Sequence, residues 1–162
     1  MISKKIAMLG MWGAGKTSLV RRFIDSIYDD KYLSTLGVKV DKKVLEIAGR
    51  DINLVLWDIA GAEDHFSVPI HYVKGAAGYL LVVDGTRKAS LESAIDLIEL
   101  VEEGIGSLPF LAVVNKSDLE WELTETEIET ALTPYRGTWM SSSAKTGENV
   151  EFAFNTLAQK LV

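Results

Sequence analysis

A six-stranded, mostly parallel sheet with helices on both faces and one antiparallel edge strand is the α/β architecture this sequence predicts. Three observations lead there. Short apolar runs alternate with segments of helical period along the whole chain. The first run is followed at once by Gly10-Met11-Trp12-Gly13-Ala14-Gly15-Lys16-Thr17, a loop of the form GxxxxGK[ST]. Four of five strand ends carry polar signatures, where open α/β sheets place their ligands.

The strand-like runs cover residues 5–9, 38–47, 51–57, 78–84, 110–115 and 138–141. Within them 53–57, 79–83 and 110–114 are nearly continuous apolar stretches, as central strands covered on both faces require. Ala48-Gly49-Arg50-Asp51 reads as a hairpin turn, making the second and third strands antiparallel. Lys39, Lys42 and Lys43 mark the second as an edge, where lysine discourages pairing with another chain. Helical segments are expected over 16–27, about 66–74, 91–103, 125–132 and 150–161. In the third of these, Leu91, Ala94, Ile95, Ile98 and Val101 form one stripe. In the last, Val150, Phe154, Leu157 and Leu161 do, with Phe152 off it.

With 162 residues, the chain has room for one well-buried core, and a single domain over 1–162 is expected. A net charge of −6 argues against general nucleic-acid binding and against a polybasic membrane foot. Without cysteine there is no disulfide, thiolate metal site, prenylation or palmitoylation, and Ile2 is incompatible with N-myristoylation. Direct lipid anchoring is therefore not expected. No signal peptide or membrane-length apolar run is evident, and a cytoplasmic location is expected.

The chemistry is carried by the loops after residues 9, 57, 115 and 141. In the first, backbone N–H groups around Gly13, Ala14, Gly15 and Ser18 would surround phosphate oxygens, helped by the partial positive charge of the following helix N-terminus. Lys16 would reach the β- and γ-phosphates, and the Thr17 hydroxyl would coordinate Mg²⁺. Asp58 ends a buried apolar run, which suits a carboxylate linked to Mg²⁺ through water, and Gly61 could offer its N–H to the terminal phosphate. In Asn115-Lys116-Ser117-Asp118 the carboxylate would accept N1–H and the N2 amino group of guanine, a pair adenine lacks. The stem of Lys116 would lie over the base, Asn115 would tie loops together, and Ser143-Ala144-Lys145 would present the Ala144 N–H to guanine O6.

In this order, each just after a strand, these motifs resemble those of Ras-like small GTPases, closest in flavour to the Ras and Rab branches, over the whole chain. The resemblance implies GTP/GDP and Mg²⁺ as ligands, and effector, exchange and activating proteins as partners. Effectors would meet switch loops near 28–40 and 59–74. It assigns Thr35 to Mg²⁺ and γ-phosphate sensing, Tyr28 to the edge of the guanine and Tyr32 to a lid over the phosphates. It gathers Lys16, Thr35 and Gly61 as the catalytic set, and Thr17, Thr35 and Asp58 around the metal. Hydrolysis would release the contacts of Thr35 and Gly61, and both loops would relax.

Two departures bear on hydrolysis. Most relatives follow the glycine with a glutamine that orients the attacking water. Here the residue is Ala62. Trp12 occupies a phosphate-loop position that is glycine in Ras itself and small or polar in other relatives. Its indole would either shield the phosphates and contact the switches or obstruct an arginine finger, a group that contributes on the order of 10³–10⁵-fold. Glu63, Asp64 and His65 are alternative water-positioning groups or simply solvated polar residues. Slow hydrolysis is expected. A catalytically silent GTP-binding scaffold is the competing reading. A P-loop kinase is disfavoured, because no arginine-rich lid extends beyond Arg21-Arg22.

Overall fold

The structure, a computed structural model, describes residues 1–25, 38–59 and 70–162. Strands β1 (Ile2–Gly10), β2 (Val38–Ile47), β3 (Arg50–Ile59), β4 (Gly78–Asp84), β5 (Phe110–Asn115) and β6 (Thr138–Ser141) form one sheet. Its order is β2-β3-β1-β4-β5-β6. Every neighbouring pair is parallel except β2 with β3, so the expected edge hairpin is present. Ala48 and Gly49 close it with φ of 52° and 76°, as a two-residue type I′ turn demands. Four α-helices are described: α1 (Lys16–Asp25), α2 (Lys88–Gly104), α3 (Glu125–Leu132) and α4 (Val150–Lys160).

The period-2 alternation of the strands sorts side chains into two cores. Ile6, Met8, Leu54, Leu56, Leu80, Val82, Leu111 and Val113 meet α1 and α4 on one face. There Phe23 and Phe154 stack with ring centroids 4.0 Å apart. Ala7, Leu9, Leu81, Val83, Ala112 and Val114 meet α2 and α3 on the other. Burying a side chain of this size contributes about 1.5–3 kcal/mol, so the two-sided covering of β4 and β5 makes them the rigid centre. A Thr124–Glu127 capping box sets the start of α3.

Three expectations need correction. The run 53–57 is not covered equally on both faces: Leu54 and Leu56 are buried, whereas Val55 and Trp57 are only partly so. β3 lies next to the edge strand, and among the described residues Trp57 meets Tyr72 and the Lys5 ammonium on that side. The helix expected over 66–74 is, in its described part, a short 3₁₀ turn, Ile70–Tyr72, followed by a bend into β4. Its apolar residues Ile70 and Tyr72 still pack on the second core. The stripe of α2 is wider than expected. Leu97 is buried while Ile95 is half-exposed, because the helix lies in the groove between strands and α3. Elsewhere α2 begins earlier and β1 is longer than the apolar run, since ladder hydrogen bonds to β3 continue from Ile2. In α4, Phe152 is exposed, as its off-stripe position requires.

Candidate functional site

The chain runs from central β1 toward β3 on one side, then crosses to β4, β5 and β6 on the other. This reversal opens a crevice at the carboxyl end of β1, and the glycine-rich loop fills its edge. Residues 11–14 form a turn closed by the Ala14 N–H donating to the Met11 carbonyl at 3.0 Å. Gly13 sits at its third position with φ +79°, the signature of a type II turn. Gly15 has φ +102°, and a Cβ there would lie 2.3 Å from Asn115 Nδ2. Two reasons thus require glycine at 15: the backbone conformation and the close approach.

Lys16 opens α1 and folds back over the loop, its ammonium donating to the Gly10 carbonyl at 3.0 Å. It is almost fully buried. Burial lowers its pKa and the nearby Asp58 charge opposes that shift. Thr17 donates its hydroxyl to Asp58 Oδ2 at 2.7 Å, so the end of β3 and the start of α1 bring two oxygen donors together. A hydroxyl and a carboxylate, all oxygen, suit Mg²⁺, which keeps several waters. Among the described residues there is no cluster of three or more His, Cys, Asp or Glu that could hold a metal. Of the three residues expected around the metal, Thr17 and Asp58 are the two among the described residues.

Asn115 is the hub. Its Nδ2 donates to the Ala14 carbonyl at 3.1 Å. Its Oδ1 accepts from Ser142 Oγ and from the Ala144 N–H, both at 3.2 Å. One buried amide joins the phosphate loop to the loops after β5 and β6. Beside it, Ser143 Oγ donates to Asp118 Oδ1 at 2.8 Å and accepts from the Thr146 N–H at 3.1 Å. The first of these bonds ties the exposed Asp118 carboxylate to the loop after β6. Lys116 adopts φ +71°, an unusual conformation for a side-chain-bearing residue. Trp121 donates to its carbonyl at 2.9 Å. Lys145 is exposed.

The site has a member that the motifs did not reveal. Asp84, fully buried at the end of β4, accepts from Lys116 Nζ at 2.7 Å and from Arg87 Nε at 3.0 Å. It also accepts from the Thr86 N–H and hydroxyl. Burial pushes its carboxyl up. The hydrogen bonds from Lys116 and Thr86, and the Lys116 charge, outweigh that and hold it below the usual carboxylate range. The signal in the sequence was the one that found Asp58: an aspartate closing a buried apolar strand. Tyr28, Tyr32, Thr35, Gly61, Ala62, Glu63, Asp64 and His65 lie outside the described residues.

So the fold gathers Gly13, Ala14, Gly15, Lys16, Thr17, Ser18, Asp58, Asn115, Lys116, Asp118, Ser143 and Ala144 at one end of the sheet. The model of the Ras family matches residues 5–162. The chain belongs to the Ras family. Its relatives include the Ras-related protein Rab-13 of Rattus norvegicus, 31% identical over 161 residues, with 98% of this chain and 79% of the relative covered. Rab-8B of Homo sapiens is also 31% identical, covering 98% and 78%. Rab-1 of Theileria parva is 34% identical, covering 97% and 73%. Membership makes this chain a small GTPase, and Ras-family GTPases bind guanine nucleotide, generally with Mg²⁺. Among the described residues, no helix is long and apolar enough to cross a membrane.

Proposed function

We propose that this small GTPase is a cytoplasmic GTP/GDP-dependent switch with slow intrinsic hydrolysis, which binds effectors through loops near 28–40 and 59–74. The observation that carries the reading is the convergence of three separate loops on the Asn115 amide beside the Thr17–Asp58 pair. Phosphate, metal and base recognition then share one rigid frame.

In this reading Lys16 holds the phosphates, and its lowered proton affinity recovers as phosphate charge approaches. Thr17, Asp58 and Thr35 hold Mg²⁺, which when bound neutralises charge on the phosphate oxygens. Asp118, steered by Ser143, accepts the two guanine donors. The Ala144 N–H already has a partner in Asn115 Oδ1, so reading guanine O6 requires it to share or exchange that bond. Thr35 and Gly61 sense the γ-phosphate, and its loss lets both loops relax toward the GDP state. Exchange factors, activating proteins and effectors act on those loops.

Hydrolysis is slow because Ala62 has no group to orient water, and because Trp12, 40% exposed on the phosphate loop, either shields the phosphates and contacts the switches or obstructs a finger from an activating protein. The second reading, a silent GTP-binding scaffold, draws on the same two residues. Single-turnover phosphate release from the wild type, Ala62→Gln and Trp12→Gly separates them. The switch requires measurable wild-type release and a rise of about tenfold in Ala62→Gln, about 1.4 kcal/mol of barrier. No release above the buffer rate over a day, with or without cell extract, leaves the scaffold.

A further inference from the structure

Four carbonyls of the phosphate loop each accept a hydrogen bond. The Gly10 carbonyl takes Lys16 Nζ, the Met11 carbonyl the Ala14 N–H, and the Ala14 carbonyl Asn115 Nδ2. The Trp12 carbonyl takes Arg87 Nη2 at 2.9 Å. The first three donors lie in the phosphate loop or in motifs already assigned. Arg87 lies in neither.

Arg87 sits at the N-cap of α2. Its backbone is pinned there by its N–H on the Asp84 carbonyl and by the Ser90 N–H on its own carbonyl. Its fork is divided: Nε goes to Asp84 Oδ2 at 3.0 Å and Nη2 to the Trp12 carbonyl. Asp84 Oδ2 also takes Lys116 Nζ at 2.7 Å. A continuous polar chain thus runs from the base-reading loop through Asp84 and Arg87 to the phosphate loop. The same guanidinium lies 3.3 Å from where a Cβ on Gly13 would be.

The bonded peptide plane matters. In a type II turn the central peptide, here Trp12–Gly13, is flipped relative to type I. Its carbonyl and its N–H point in opposite directions. Holding the Trp12 carbonyl on Arg87 points the Gly13 N–H, antiparallel to it in the same peptide plane, away from the Arg87 guanidinium. We propose that Arg87 is a positioning residue for nucleotide retention: it locks the Trp12–Gly13 peptide so that the Gly13 N–H is preset for a phosphate oxygen. The inference rests on the guanine-nucleotide reading above and adds to it a residue outside its motifs.

The bond is charge-assisted, but Arg87 is about one-third exposed, so its effect is moderate. In the full chain loaded with mant-GDP, Arg87→Ala should release nucleotide about tenfold faster (about 1.4 kcal/mol). Arg87→Lys keeps the charge but cannot span both acceptors at once, and should accelerate release about threefold. A merely structural loss would disturb the whole site. Here the Gly13 amide resonance and the ³¹P resonance of the GDP β-phosphate should move more than the guanine imino proton, which Arg87 reaches only through Asp84 and Lys116. Release within twofold of wild type in Arg87→Ala, or faster release with the Gly13 amide and ³¹P signals unmoved, overturns the proposal. If Arg87→Ala does not fold, Arg87→Lys decides: release indistinguishable from wild type, or unmoved resonances, overturns it. Wild type that fails to retain mant-GDP removes the nucleotide reading and this one with it. Retention by wild type with unaffected variants removes this one alone.

Discussion

Replacing Asn115 by alanine tests the frame of the site with a stability that can be worked out beforehand. The amide makes three hydrogen bonds, to the Ala14 carbonyl, the Ser142 hydroxyl and the Ala144 N–H. All three partner residues are buried. The Ser142 hydroxyl can rotate toward another acceptor, but the two backbone groups cannot. Each buried backbone group left without a partner costs about 1–3 kcal/mol. A loss of about 3 kcal/mol is therefore expected, and at this chain length that is about 6–12 °C in Tm. Thermal and urea unfolding at a fixed, saturating GDP concentration measure it. Repeating at tenfold higher GDP raises both proteins by about 1.4 kcal/mol if both remain saturated, which checks that weakened binding is not distorting the comparison. Ser142→Ala removes one arm and should cost about 1 kcal/mol. The double variant should fall short of additivity by a similar amount, because the two share a bond. A Tm change under about 2 °C for Asn115→Ala, or full additivity with Ser142→Ala, would falsify the hub.

Two further outcomes follow from the geometry. Asp118→Asn should weaken GDP and GTP by at least about 10²-fold and improve binding of xanthine nucleotides. An unchanged guanine preference in competition binding would show that another residue reads the base. The second concerns pH. Asp84 has its carboxyl held below the ordinary 3.8, so below that pH the unfolded chain takes up this proton more readily than the folded one. Stability from this group is complete above about pH 4 and drains away as pH falls through the lowered folded value. The urea-midpoint gap between wild type and Asp84→Asn should thus be widest above pH 4 and narrow on acidification. A gap that widens toward low pH would reverse the assignment.

Much of the site was legible because its chemistry is local. The glycine-rich loop, Asp58, Asn115, Asp118 and Ser143 each follow an apolar run, and the α/β rule places all strand ends together. Asp84 satisfied the same rule, yet no familiar tripeptide followed it. Its role depends on Lys116, distant in sequence and brought in by pairing of β4 with β5, and on Arg87, placed by the turn from β4 into α2. In the described part of the 66–74 segment a 3₁₀ turn, Ile70–Tyr72, stands where helix is expected, because a pattern over so few residues does not distinguish the two. The unequal covering of β3 escaped because a strand's burial depends on which neighbours the sheet order gives it.

By itself, then, the sequence determined the strand-helix alternation, the antiparallel edge, the family and the residue types that meet phosphate, metal and base. Those follow from side-chain periodicity and backbone chemistry, which act over a few residues. Tertiary structure alone decided which carbonyls and amides share partners. Asn115 joins three loops, and Asp84 with Arg87 ties base reading to the Trp12–Gly13 peptide. Hydrogen bonds of that kind depend on distances of about 3 Å between groups, and only the register of the folded sheet sets such distances.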